Sequence, residues 1–557
     1  MVPSTYEDGT LYNVLPSGNK APDETGNANG YDQTRADFSF TRGANLAATR
    51  VNASGLIEKG RENLLLQSNQ FDTTWANISS SETSGQEGYD GTNNAWLLTK
   101  SGTNGRIQQS ITGTGVYTFS IYAKAGTNNW CTLIADFVSG TDVIVWFDLQ
   151  NGIVGTESGS PIESKISSID NGWYRISISF TCPASLQTLR IYVADGDNDN
   201  SGTTGSIYIQ DAQLEAGLVS TPYIETGATT ATAGVLENTP RIDYSSGAGA
   251  LLLEPQRTNL IPNSEYFGSG SGWSLLNNVS VGNFVLSPEG KMNATQIIFD
   301  GSIGGRIERT ISGLTAGANY SVSVYARVAS GTQDVFFGSF EDTPAITLTT
   351  EWQRFEKTQP ENDTNAYPRI RCEEAATIEI FGFQLEAGSH VSSYVPTYGA
   401  AATRGADSCS VTGVSDVIGQ TEGTLFVEYT ASHEGSAGER IFAIGDGTSS
   451  NRIVLFEATN KIRVYAADGG AVQWDYVTTI DFEGTHKIAV TYAANNAAIY
   501  IDGTQLSTDT SFVVPNCGNV YLGTSEAFGV SIGGSIKEAI LFDSALTQSE
   551  AEALTTL

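Results

Sequence analysis

The sequence predicts an all-β chain: tandem antiparallel β-sandwiches with little helix. Three observations carry this. Short runs alternate apolar and polar residues with period two, as in Tyr117, Phe119, Ile121 and Ala123 against Thr118, Ser120, Tyr122 and Lys124. Clusters of Gly, Asn, Asp, Ser and Thr separate the runs, as turns between short strands require. Many ordered matches also show that one strand-rich unit occurs twice.

The bulk numbers agree. The chain has 557 residues, and at roughly 100–200 residues per domain it holds three or four domains. Apolar residues make up 39% and charged residues 16%, which suits packed cores and not a disordered polyelectrolyte. Lys plus Arg number 29 against 61 Asp plus Glu, a net charge of -32. Such a surface repels phosphate backbones and anionic lipid, so neither nucleic acid nor a membrane is the expected partner. The carboxylates either serve solubility or collect divalent cations. Cys131, Cys182, Cys372, Cys409 and Cys517 show no regular spacing, so buried, reduced thiols are expected. The start, MVPSTYEDGT, has neither a basic region nor an apolar segment and does not read as a secretory signal. No apolar run approaches the roughly 18 residues of a membrane span.

Taken in order, residues 1–60 form an N-terminal arm. Its first part is polar and rich in Gly and Asn, ordered by docking on a partner or flexible. Residues 61–226 and 257–398 are the two copies. Arg61-Glu62-Asn63-Leu64 recurs as Arg257-Thr258-Asn259-Leu260, followed by Ser68 and Ser264, Phe71 and Phe267, Trp75 and Trp273. Trp173 with Arg175 matches Trp352 with Arg354, and QLEAG begins at Gln213 and Gln384, leading to Tyr223 and Tyr394. Several short strands per copy imply a two-sheet sandwich of jelly-roll type, with one face of each strand buried and the other solvated. The recurring Trp173 and Trp352 read as core. The first copy is longer than the second before its QLEAG, and the surplus falls in DGDNDNSGTTG, from Asp195. Residues 227–256 read as a linker or clasp, in which Arg241-Ile242-Asp243-Tyr244-Ser245 echoes Arg35-Ala36-Asp37-Phe38-Ser39.

Residues 399–557 follow a different pattern. Strands are expected at 425–429, 453–456, 462–465, 487–492 and 499–501, and Thr547-x-x-Glu550 is a capping box opening a short terminal helix.

No GxSxG, HExxH or P-loop is present. His390, His433 and His486 are the three histidines, with His486 read as structural. The glucanase pattern of alternating carboxylates on one strand is missing too. A non-enzyme is expected, although a carboxylate pair assembled by folding remains open. Asp195, Asp197 and Asp199 alternate in a Gly-containing loop, which suits either a hard cation such as calcium or plain solvation. Sugars stack on aromatic faces beside polar groups, and Trp130, in a polar stretch, and Trp474 with Asp475 are the candidates. Trp75 and Trp96 are weaker ones.

Two resemblances sharpen the reading. Thr485 to Tyr492, Ile499 to Gly503, Gly534 to Phe542 and Ala545 to Thr547 resemble the laminin G-like, concanavalin-like sandwich family. That implies a glycan- or protein-binding domain, often calcium-assisted. The motifs RxNLL, YxxSxYA, GWYR and QLEAG, with GALLLEPQRTNLI from Gly249, resemble the carbohydrate-binding-module jelly rolls of phage tail and fibre proteins. This resemblance implies a virion fibre, spike or decoration subunit. It would assemble in the host cytoplasm and be displayed on the particle surface. Its arm would dock on other virion proteins, and its sandwiches would bind host-surface glycan as a homo-oligomer, a trimer favoured. A bacterial glycan-binding adhesin and a polysaccharide depolymerase are the alternatives.

Overall fold

The computed structural model describes residues 10–13, 38–43, 46–182, 186–339, 345–431, 438–458, 461–479, 484–524 and 533–557. His433 and most of the expected arm lie outside them. Among the described residues 54% are in strands and 2% in helix, and the strands pair antiparallel, for example Gly115–Ala125 with Trp173–Cys182 and Glu422–Ala431 with Thr485–Ala493. The chain divides into two compact units, one of Lys59–Gly234 with Thr258–Ala402, the other of Met1–Glu58, Val235–Arg257 and Thr403–Leu557.

The first of these holds both repeats. The first copy has two six-stranded sheets, one centred on Gly115–Ala125 and Gly205–Ala216, the other on Trp130–Phe137 and Leu186–Ala194. Phe119, Ile121, Ala123, Leu133, Ile178, Ile191 and Ile209 fill the space between. The second copy repeats this with two five-stranded sheets around Val322, Val324, Phe337, Ile370 and Phe383. Burial of such side chains is the main driving term, at roughly 25 cal/mol per Å² of apolar surface.

The repeated motifs are the fastenings of this fold. Asn63 donates to the carbonyls of Ala212 (3.1 Å) and Ile224 (2.8 Å) and accepts from the amides of Leu65 and Leu214. Asn259 does the same with Phe383, Val395, Ile261 and Leu385. Gln213 and Gln384 each donate to the glutamate of their own QLEAG at 2.7 Å, and that glutamate accepts from the amide of Thr221 or Ser392. Ser68 and Ser264 lie 2.6 Å from the hydroxyls of Tyr223 and Tyr394. Buried polar groups that are satisfied in this way define one register.

Two expectations need correcting. The polar face of Tyr117–Lys124 is not solvated, because Thr118 and Ser120 are fully buried and Tyr122 nearly so. Thr118 shares a hydrogen bond with Ser179 (2.8 Å), Arg175 donates to Ser120 (3.1 Å), and Tyr89 stacks on Tyr122 at 3.9 Å. Trp173 is core, but Trp352 is half-buried, with the Arg327 guanidinium over its ring at 4.7 Å.

The other unit is a sandwich of an eight-stranded and a seven-stranded sheet. Segments read as arm and linker supply strands to it. Ser39–Thr41 pairs with Ser408–Thr412, and Ala250–Leu253 pairs with Gly534–Phe542. The reason is apolar: Phe40, Leu251 and Leu253 complete its core. A buried ionic knot fixes the same segments. Asp407 takes Arg42 (3.2 Å) and Arg241, and Glu254 takes Arg241 (2.7 Å) and Arg404 (2.8 Å). Gly405 is required beside it, since a Cβ there would fall 1.6 Å from the Arg42 carbonyl oxygen. The capping box forms as expected: Thr547 and Glu550 cap the helix Gln548–Thr555, which packs its Ala551 near Phe426, Ala489 and Tyr500. His486 is bonded to Asp502 at 2.6 Å. All five cysteines are buried and none is joined in a disulfide, and no helix among the described residues is long and apolar enough to cross a membrane.

Candidate functional site

The candidates from sequence scatter. Trp130 opens the strand Trp130–Phe137 and is half-buried. Its ring lies against Gly155, where a Cβ would fall 2.6 Å from the ring and 2.5 Å from Asp197 Oδ1. Asp197 accepts from the amide (2.6 Å) and hydroxyl (2.9 Å) of Thr156. Trp130 and Asp197 therefore meet on one surface of the first copy.

Asp195 points elsewhere, 2.5 Å from the ammonium of Lys100, whose side chain is fully buried. Asp199 accepts from the amide of Ser201 at 2.8 Å. The three carboxylates do not converge, and a lysine already neutralises the innermost. This donor set does not fit a calcium ion. Among the described residues no group of three or more His, Cys, Asp or Glu side chains could hold a metal ion.

Trp474 is not a sugar platform. It is only 6% exposed and packs edge-on against Phe512 at 6.4 Å in the core. Its alternation partner Asp475 is exposed and grips Arg463 with both oxygens, Nε to Oδ1 at 2.6 Å and Nη2 to Oδ2 at 2.5 Å. Trp75 and Trp96 are buried around Phe71.

The structure brings together a site that sequence reasoning missed. Three neighbouring strands of the seven-stranded sheet, Arg440–Gly445, Arg452–Glu457 and Ile462–Asp468, are paired antiparallel, with the register shifting between Arg440 and Phe442. Their alternate residues Ile444, Leu455 and Val464 enter the core. Period two then sends Arg452, Val454 and Phe456, and Arg463 with Tyr465, to the other face. There Ala443, Val454, Phe456 and Tyr521 form a small apolar cluster with Tyr465 against it. Arg440 lies over the Phe456 ring at 4.5 Å, Arg463 at 5.2 Å, and Arg452 lies over Tyr465 at 5.1 Å. Together with Gly438 and Ala458 these residues line a cleft of about 380 Å³, within the size range of small-ligand pockets. Burial, and then the charges of Arg452 and Arg463, push the Arg440 guanidinium down to about 10. The cleft is a pocket of concentrated positive charge on a strongly acidic chain. Its signal in the sequence was the mixed outward set, arginines with aromatics, on strands that alternation had already located.

Beside the cleft, folding does assemble a carboxylate pair. Glu439 and Glu457 are both buried, at 3% and 1% exposure. Tyr429 donates to Glu457 at 3.4 Å, and burial, with the Glu439 charge, pushes the Glu457 carboxyl up to about 8.

The first copy holds a second polar-aromatic cluster. Tyr89 donates to Asp211 at 2.8 Å while stacked on Tyr122. Burial raises the Asp211 carboxyl to about 6, against the pull of the Tyr89 hydrogen bond. Asp211 has φ +53°, and the equivalent bulge position in the second copy is Gly382, φ +66°. One copy thus places a carboxylate where the other has no side chain.

Residues 407–552 match the Laminin_G_3 family, described as the Concanavalin A-like lectin/glucanases superfamily. No curated protein matches the chain. Among solved structures, the CBM40 of the Ruminococcus gnavus IT-sialidase is similar at 19% identity, over 24% of this chain and 83% of that one, TM-score 0.22. The CBM22-1-CBM22-2 tandem domain of Paenibacillus barcinonensis Xyn10C is similar at 11% identity, over 65% and 99%, TM-score 0.20. Domains LG4-5 of mouse laminin alpha1 are similar at 10% identity, over 45% and 91%, TM-score 0.19. At such TM-scores these likenesses carry no argument. The chain is an all-β set of sandwiches whose C-terminal third is lectin-like and laminin G-like.

Proposed function

We propose that this chain is a bacteriophage virion structural protein, a fibre, spike or decoration subunit, that binds a host-surface glycan and does not cleave it. The observation that carries the binding is the arginine–aromatic cleft on the lectin-like sandwich. Stacked guanidinium groups are held in a fixed orientation, so little freedom is lost when they bond to a ligand. The virion setting is supported by the repeat motifs, whose likeness to phage fibre modules runs through both copies.

A non-catalytic role is supported by the carboxylates. Glycoside cleavage needs two carboxyl groups that reach the substrate, and Glu439 and Glu457 face the core instead. A homotrimer would turn weak single sites into avid attachment, with the N-terminal arm as the contact to other virion proteins.

The test is binding of the purified full chain to an array of bacterial surface glycans, together with light scattering and a reducing-sugar assay. Glycan retention by a defined oligomer without sugar release is the expected result. Sugar release would favour a depolymerase. Retention by a stable monomer would favour an adhesin.

A further inference from the structure

We infer that the ligand of the arginine cleft is a sugar bearing an acid group, a carboxylate or a sulfate, within a glycan whose acid groups are spaced and not dense. The inference rests on the glycan-binding reading above and narrows it. Arg440, Arg452 and Arg463 come from three adjacent strands and share two aromatic rings, with guanidinium-to-ring distances of 4.5 to 5.7 Å. The three guanidinium groups stand close enough for Arg452 and Arg463 to add to the effect of burial on Arg440, while Asp475 takes only two of the five N–H donors of Arg463. An anion seated among them is attracted by all three, and planar guanidinium forks match the paired oxygens of carboxylate and sulfate.

The floor of the cleft adds the second element. Val454, Phe456 and Tyr465 present apolar and aromatic surface, suited to the hydrophobic face of a pyranose ring. Asp475 grips Arg463 from one side, so an incoming acid meets a guanidinium already held in orientation. Size fits as well: about 380 Å³ suits one or two sugar residues and not a folded partner.

The rest of the chain sets the spacing. With a net charge of -32, the surface beyond the cleft repels anions, and at physiological salt a charge is felt over about 8 Å. A dense polyanion such as nucleic acid would meet that repulsion along its length. A glycan with one acid group every few sugars places its charge in the cleft and neutral sugars elsewhere.

The test is calorimetric titration of the full chain with four probes: trigalacturonate, a singly sulfated carrageenan disaccharide, neutral galactotriose and a single-stranded DNA oligonucleotide. The titrations are repeated with Arg452→Gln and Arg463→Gln. Arg50→Gln, remote in sequence and paired with Glu58, is the control, and circular dichroism checks each fold. We expect at least one acidic sugar to bind about tenfold or more tighter than galactotriose, and to lose about tenfold in each cleft variant but not in the control. The two acidic probes separate carboxylate from sulfate. Equal affinity for neutral and acidic sugars would overturn the acid assignment and leave the glycan-binding reading standing. Acidic binding unchanged in the cleft variants, or DNA binding as tight as the sugars, would overturn the assignment too. Failure of every sugar in the test and on the array would remove the glycan-binding reading with it.

Discussion

Asn63 and Asn259 occupy the same node in the two repeats: each carboxamide joins two carbonyls and two amides from the strands around it. Neither touches solvent. Replacing either by alanine strands buried backbone groups, at about 1–3 kcal/mol for each group left unsatisfied. We expect Asn63→Ala and Asn259→Ala each to destabilise by about 3 kcal/mol or more in chemical denaturation. A loss under about 1 kcal/mol would show that water replaces the side chain.

Lys100 and Asp195 supply a second test. Lys100 is fully buried while Asp195 keeps 22% of its side chain exposed, so Asp195→Asn, which strands the buried ammonium, is expected to lower stability by about 2–3 kcal/mol, at or below the range for a fully buried pair. Asp197→Asn and Asp199→Asn are expected to cost under about 1 kcal/mol, as changes at surface loops do. A chelator is expected to leave the melting temperature unchanged. A drop with chelator in the unaltered chain that disappears in the three variants would mean that the loop holds a cation.

Burial raises the pKa of two acids, which ties stability to pH. Glu457 is raised from 4.5 to about 8 and Asp211 from 3.8 to about 6. Between those values the folded state binds a proton that the unfolded state has released. Stability is therefore full below the unfolded pKa and falls as pH rises through the window, by up to about 1.4 kcal/mol per pH unit for each group. Glu457→Gln is expected to remove the loss between pH 5 and 8, and Asp211→Asn that between pH 4 and 6 (both about). Denaturation at fixed temperature across this range measures it, and unchanged slopes would contradict it.

Gly382 gives a backbone test. Its φ of +66° is left-handed, and a Cβ there would fall 3.2 Å from the Tyr394 ring and 3.3 Å from Tyr325. Gly382→Ala is expected to cost about 1–3 kcal/mol in thermal or chemical unfolding. The first copy carries Asp211 at this position because Tyr89 anchors its carboxylate.

The all-β architecture was legible from alternation alone, and the repeat was legible from ordered matches. The structure explains why those matches exist: Asn63, Gln213, Glu215 and Ser68 are fastenings, so similarity between the copies marked the scaffold and not a ligand site. What alternation could not reveal was assembly from remote segments. Phe40 and Leu251 read as parts of an arm and a linker because nothing local states that they complete a distant core. Trp474 misled for a related reason. Its polar neighbour Asp475 suggested exposure, yet on a strand the residue beside an exposed one faces inward. The arginine cleft needed cross-strand register, which brings Arg440 opposite Phe456 and Phe456 opposite Arg463.

The most direct test of the central claim is the structure of the full chain bound to the acidic oligosaccharide that titrates most tightly. The acid group is expected within hydrogen-bonding distance of Arg452 and Arg463, with the sugar ring against Tyr465. An oligosaccharide seated instead at Trp130, or at any surface away from the three arginines, would contradict it.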